Sequence, residues 1–209
     1  MCFSETSALE VERLMNKMVK LYAGGNKNMR PDSFTFSSSI SAWEQSKSKH
    51  AGEGILRIVD TMEQLYDPEV AASRLHVICY NSAIRYFVDV AKDPYTAEAL
   101  LERMEKSYLN GKLEGQPDDL TYGAVLKVFA NAGKPESAAR ALNVLDRMQN
   151  MYKSGNKAAT PNTICFNTVL TALARCSDAS SGLQSMKLLN QMKAMHIAGN
   201  VDMKPDVIS

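Results

Sequence analysis

The sequence predicts an all-α fold, an α-solenoid of antiparallel helix-pair repeats with a period of 42 to 44 residues. Three observations predict it. Met18, Met62, Met104, Met148 and Met192 stand 44, 42, 44 and 44 residues apart, and four are followed four residues later by Tyr22, Tyr66, Tyr108 and Tyr152, the fifth by His196. A second series runs out of phase: Phe36, Tyr80, Tyr122 and Phe166, spaced 44, 42 and 44. Both series sit in segments whose apolar residues recur at helical spacing. Self-similarity at this period marks a stacked array, in which each unit buries its apolar faces on its neighbours.

The elements follow in order. The chain opens inside a second helix, with Ser7 and Glu10 placed as a capping box. The second-helix segments are Leu14–Tyr22, Ile58–Tyr66, Leu101–Tyr108 with Leu100 before it, Val144–Tyr152 and Leu188–His196. Their apolar residues at i, i+1, i+4 and i+8 share one face. Lys17, Asp60, Glu102, Arg103, Arg147 and Lys193 fall between them, on the side expected to face water. The first-helix segments are Phe34–Trp43, Ile78–Phe87, Leu120–Phe129 and Ile164–Leu173. Pro31-Asp32, Pro117-Asp118 and Pro161-Asn162 punctuate their starts, and Pro205-Asp206 opens a further one. Asp and Asn there supply a side-chain oxygen to the free amides of the first turn. Asp93-Pro94 and Gly133-Lys134-Pro135 put a proline where a second helix begins. Gly24-Gly25-Asn26, Gly155-Asn156 and Gly199-Asn200 end second helices, where left-handed backbone is needed. Strand signals are absent.

The array divides into a partial repeat at 1–32, repeats at 33–76, 77–118, 119–162 and 163–206, and the start of another at 207–209. Both ends look cut, as in a fragment of a longer array. Composition narrows the function. A formal net charge of +1 argues against a strong non-specific nucleic-acid binder but leaves room for a local groove. No apolar run approaches bilayer length, so no membrane partner is expected. Cys79 and Cys165 occupy one repeat position, Cys2 and Cys176 lie elsewhere, and no CxxC pair exists. Buried free thiols fit better than disulfides or a metal. There is no phosphate loop, no clustered carboxylate pair and no Ser/His/Asp set. The reading is a non-enzyme with no cofactor, no metal and no small-molecule substrate. Lys127, Arg85, Lys134 and Arg175, on or near first helices, are candidates to meet phosphates, with solvated charge as the commoner role.

First helices opening Val77-Ile78-Cys79-Tyr80-Asn81-Ser82 and Thr163-Ile164-Cys165-Phe166-Asn167-Thr168-Val169-Leu170, second helices running Ala-Leu to Met, then a Gly-rich turn and Pro-Asp, resemble the pentatricopeptide repeat. Asp119-Leu120-Thr121-Tyr122 matches the same opening, and the resemblance covers essentially the whole chain. It departs in length: family units run about 35 residues, and the excess here lies mainly before Pro-Asp. The resemblance implies a right-handed superhelix with first helices on the concave face. It also implies single-stranded RNA as partner, read one base per repeat in a mitochondrion or plastid, in RNA processing, stability or translation. By the family pattern Ser37, Asn81, Gly123 and Asn167 face bases, with His76, Asp118, Asn162 and Asp206 as their partners. Phe34, Ile78, Leu120 and Ile164 sandwich successive bases. Asn with Asp implies uracil at Asn81/Asp118 and Asn167/Asp206; Ser37/His76 and Gly123/Asn162 imply no base. Read without the family, Asp32, Asp118 and Asp206 are caps, Asn81 and Asn167 tolerated polar residues, and the four bulky residues core. The alternative function is a protein-interaction scaffold of the tetratricopeptide kind, and a third is a targeting segment for an enzymatic domain beyond either end.

Overall fold

The computed structural model describes residues 4–70, 74–176, 180–198 and 203–205. These residues form an all-helical protein with nine α-helices among them: α1 (Glu5–Ala23), α2 (Ser33–Ser46), α3 (Ala51–Gln64), α4 (Val77–Asp89), α5 (Pro94–Leu109), α6 (Asp119–Ala132), α7 (Pro135–Lys153), α8 (Thr163–Ala174) and α9 (Ser181–Ile197). The chain divides into two compact units, residues 1–91 with 102–115, and residues 92–101 with 116–209. In the first unit α1 packs on α2, α2 on α3 and α4, and α3 on α4. In the second, α6 packs on α7 and α8, and α8 on α7 and α9.

Local chemistry sets the helix starts. Asp32, Asp118 and Asn162 are N-caps whose side chains accept from the amides of Thr35, Thr121 and Cys165 at 2.8, 2.9 and 3.0 Å. Asp93 does the same for α5, accepting from the Tyr95 and Thr96 amides. Each such bond satisfies an amide that has no partner within the helix. Gly133, with φ +63°, ends α6 in left-handed backbone, and Pro135 follows at the first turn of α7.

The core holds both aromatic and methionine series. Phe36, Tyr80, Tyr122 and Phe166 are buried, as are Met62, Met104, Met148 and Met192. Met18 is only half-buried; Met15 takes the buried place on α1. Trp43 is fully buried, its indole Nε1 donating to Glu12 at 2.8 Å. Glu12 in turn receives both Nε and an Nη of Arg57, at 2.8 and 2.9 Å. In the second unit buried Glu98 accepts from Arg140 at 2.8 Å and Arg147 at 3.4 Å. A buried carboxylate is tolerated because charged donors replace its water.

Several sequence expectations are corrected. The cap of α1 is Ser4, not a Ser7/Glu10 box: Ser7 donates its amide to Ser4 Oγ, and Glu10 pairs with Arg13 at 2.6 Å. Second helices begin well before their apolar segments, and α3 ends at Gln64, leaving Tyr66 beyond it. Arg103 and Arg147 do not face water; each is half-buried against carboxylates, Arg103 on Asp60 and Glu63 at 2.6 and 2.9 Å. Three of the four tyrosines after the methionines carry cations on their rings: Arg30 over Tyr22, Lys112 over Tyr66 and Lys157 over Tyr152.

Strand is present where none was expected. β1 (Leu75–His76) and β2 (Leu113–Glu114) pair in parallel, Leu75 opposite Leu113. The loops leading into first helices bond laterally, one period to the next. In the second unit the Asp119 amide donates to the Ala158 carbonyl at 2.9 Å, and buried Asn156 Nδ2 to the Pro117 carbonyl at 2.7 Å. A two-residue strand has no periodicity to read, and its partner lies 38 residues away in sequence.

Candidate nucleic-acid interface

Four first helices repeat one arrangement of side chains over their opening turns. Counting from the cap, the second helical residue is Phe34, Ile78, Leu120 or Ile164, the fourth is the buried aromatic, and the fifth is Ser37, Asn81, Gly123 or Asn167. Phe34, Ile78, Leu120 and Ile164 are 76, 58, 77 and 74% exposed. The residues two places on, at the fourth position, are at most 5% exposed. Two positions apart on a helix means about 200° of rotation, so one series is driven inside and the other outside. Single exposed apolar residues are ordinary on a surface. Four at one repeat position, on two helices in each unit, are not scattered singly.

The fifth-position residues differ in access. Ser37, Asn81 and Gly123 are half-exposed, while Asn167 is buried with 9% exposure. Ser37 Oγ bonds back to the Phe34 carbonyl at 3.2 Å. A Cβ built on Gly123 would meet nothing within 4 Å, so the glycine leaves open space and is not forced by packing.

The expected partner residues sit at the helix entrances and work as caps. Asp118 Oδ1 accepts from both the amide and the hydroxyl of Thr121, the latter at 2.6 Å. Asn162 caps α8 through Oδ1, and its Nδ2 donates to Asp119 Oδ2 at 3.1 Å. His76 occupies the cap position of α4 without a side-chain cap bond, its Nδ1 3.5 Å from Glu114. Asp206 lies outside the described residues. Asp32, the equivalent residue before α2, has its carboxyl held below the usual aspartate range, first by the Thr35 amide and then by the Thr35 hydroxyl.

The structure gathers some of these residues. Asn162 and Ile164, with Asp119, Thr160 and Thr163, line an open cleft of ≈ 520 Å³ at the start of α8. His76 lines a small cavity with Arg30, Asp32 and Arg74, far tighter than a base requires. Ser37 opens instead onto a cleft between α1 and α2. The phosphate candidates are mixed. Lys127 is exposed, Arg85 lies 3.6 Å from Glu44, and Arg175 caps α6 by donating to the Ala130 carbonyl at 2.9 Å.

Cys79 and Cys165, at the third helical position, are buried free thiols, pushed up to about 12 and about 11 chiefly by burial. Among the described residues, no three His, Cys, Asp or Glu side chains are placed to hold a metal, and no helix is long and apolar enough to cross a membrane.

Sequence reasoning missed the polar ladder between second helices. Glu63, one residue after its methionine, accepts from Arg103, one before the next, at 2.9 Å. Gln149 and Gln191 hold the same two positions in the second unit, also at 2.9 Å. The signal was available: long polar residues flank Met104, Met148 and Met192 on both sides. No family model matches the chain, and no curated protein is significantly similar to it.

Proposed function

We propose that the chain is a pentatricopeptide-like, right-handed α-solenoid that binds single-stranded RNA through the opening turns of its first helices. It serves as a binding module, not an enzyme, in RNA processing, stability or translation within a mitochondrion or plastid. The observation that carries the reading is the set of four exposed apolar side chains, Phe34, Ile78, Leu120 and Ile164, at one repeat position, three of them followed by a polar fifth-position residue, Ser37, Asn81 or Asn167, and one by Gly123. An exposed apolar side chain stacks on the face of any base, and the amide of Asn81 presents a donor and an acceptor together, the combination a uracil edge requires. Stacking contributes about 1–3 kcal/mol per base before ordering costs. With four such platforms and a net charge of +1, modest affinity is expected.

Gel shifts with single-base substitutions test it. Asn81→Ala should reduce the preference for uracil at one position and leave total affinity nearly unchanged. Phe34→Ser and Leu120→Ser should weaken binding to all sequences alike. Affinity should fall as salt rises. If the chain binds no RNA at low salt, the reading fails and the protein-scaffold alternative takes its place.

A further inference from the structure

One first helix departs from the other three at its opening turn. The first helical residue is Ser33 in α2, Val77 in α4 and Thr163 in α8, but Asp119 in α6. The fifth is Ser37, Asn81 and Asn167 in those three, but Gly123 in α6. The helix that lacks a polar side chain at its fifth position thus carries a charged one at its first. The two positions are four residues apart and share a face of α6. A Cβ at Gly123 would meet nothing within 4 Å, so that face holds open space where the other helices carry a serine or asparagine side chain.

Asp119 is not needed as a cap, because Asp118 fills that role. It is half-buried and held from two sides. Its amide donates to the Ala158 carbonyl at 2.9 Å, and its Oδ2 accepts from Asn162 Nδ2 at 3.1 Å. Both partners belong to the loop that enters α8, so the carboxylate is oriented before a ligand arrives. Among the described residues, Oδ1 receives no hydrogen bond. Asp119 is also on the wall of the open cleft of ≈ 520 Å³ at the start of α8, with Thr160, Asn162, Thr163 and Ile164. The hydroxyls of Thr160 and Thr163 donate to the Lys157 and Lys204 carbonyls, at 2.6 and 3.5 Å, which leaves Asp119 as the strongest acceptor there.

We infer that Asp119 is a specificity-determining residue that selects guanine at this cleft, an inference that rests on the RNA-binding reading above. A carboxylate offers two oxygens side by side, both acceptors, and Asn162 occupies only part of that capacity. Guanine answers it with two adjacent donors on its Watson–Crick edge, N1–H and the 2-amino group. Adenine and cytosine each set a ring acceptor beside the amino group, and uracil flanks its single N–H with two carbonyls. Each of those bases brings an acceptor against the carboxylate and leaves it short of a donor, which is costly once water is excluded. Ile164, 74% exposed, supplies an apolar face for the base to stack on. The space at Gly123 admits the larger ring system of a purine. The unit that has no reader at its fifth position therefore reads through its first.

Fluorescence anisotropy on the full chain at low salt tests it, with labelled oligouridine carrying one central guanine, inosine, adenine or cytosine. The strand can slide, so the substituted base finds the cleft without an assumed register. Guanine should raise affinity over plain oligouridine by about tenfold, the order of a good bidentate base contact. Inosine keeps N1–H but lacks the 2-amino group, and should lose most of that gain; adenine and cytosine should show none. Asp119→Asn sets a donor beside the acceptor at unchanged size. It should abolish the guanine gain and leave affinity for plain oligouridine unaltered. Gly123→Asn should abolish the gain by filling the space. Circular dichroism checks that both variants fold, and the inosine comparison needs no variant. Equal binding of guanine and adenine strands by the wild type overturns the proposal, as does inosine equal to guanine. So does an Asp119→Asn chain that keeps the guanine gain, or one that weakens on every strand alike, which marks a purely structural role. Failure of every strand to bind, oligouridine included, overturns instead the RNA reading on which the proposal rests.

Discussion

Gly54→Ala should destabilise the protein, although the same exchange in an open helix would stabilise it. Glycine within a helix costs about 1 kcal/mol relative to alanine, so propensity alone favours the substitution. Packing opposes it. A Cβ at position 54 would lie 2.3, 2.5 and 2.6 Å from Cε2, Cδ2 and Nε1 of Trp43. Carbon atoms in contact sit about 3.5–4.0 Å apart, so the helix or the indole must move by more than 1 Å. The indole is not free to move. It is fully buried, its Nε1 is held by Glu12, and Arg57 lies over its ring while bonded to the same carboxylate. Overpacking of a fixed core costs about 1–3 kcal/mol and sometimes more. The clash here belongs at the upper end, leaving a net loss of about 2 kcal/mol after the propensity gain. Hydrogen exchange across α2 and α3 is the assay of choice, because a chain of two compact units need not unfold in one step. Gly123→Ala is the control: nothing lies within 4 Å of its Cβ, and it should stabilise α6 by about 0.5–1 kcal/mol. In a Trp43→Ala background the Gly54→Ala loss should vanish or change sign, a coupling that only contact produces. A Gly54→Ala protein as protected as the wild type would refute the reasoning.

Met104→Ala and Met148→Ala should each cost about 2–5 kcal/mol by chemical denaturation, because both side chains are fully buried. Met18→Ala should cost less, since Met18 is half-buried. The capping carboxyl of Asp32 titrates below its ordinary range in the folded state. Its contribution is therefore present above the ordinary aspartate range and lost as pH falls through the lower folded value. Asp32→Ala should cost about 1 kcal/mol at neutral pH and flatten that acid limb in pH-dependent melts. Cys79 and Cys165, raised to about 12 and about 11 chiefly by burial, should resist alkylation at pH 8 until denaturant is added. The stability that goes with their protonated state holds below the ordinary thiol range and declines as pH rises above it. Mass spectrometry of the alkylated native protein reads the first point, and alkaline melts the second.

What the sequence determined by itself is everything that repeats. Periodic apolar residues made the helices legible, and Asp32, Asp118 and Asn162 marked three helix starts because a cap is a contact between neighbours in sequence. The residues now seen as an exposed apolar series were also legible, as positions, from the aromatic two places after each. Their exposure was not. On spacing alone Phe34 or Leu120 reads as core, and only a helix packed on two others shows which side of its first turn is left to solvent. Long-range polar pairs were hidden for the same reason. Nothing near Glu12 in sequence announces that Trp43 and Arg57 will meet it, nor near Glu98 that Arg140 and Arg147 will. Pairs 31 to 49 residues apart are brought together by the packing of one helix on another, which no single segment carries. The two-residue strands belong to that class, and so does the exposure of Leu14 on α1. Leu14 resembles its buried counterparts in every local respect, and tertiary structure alone shows that it is exposed.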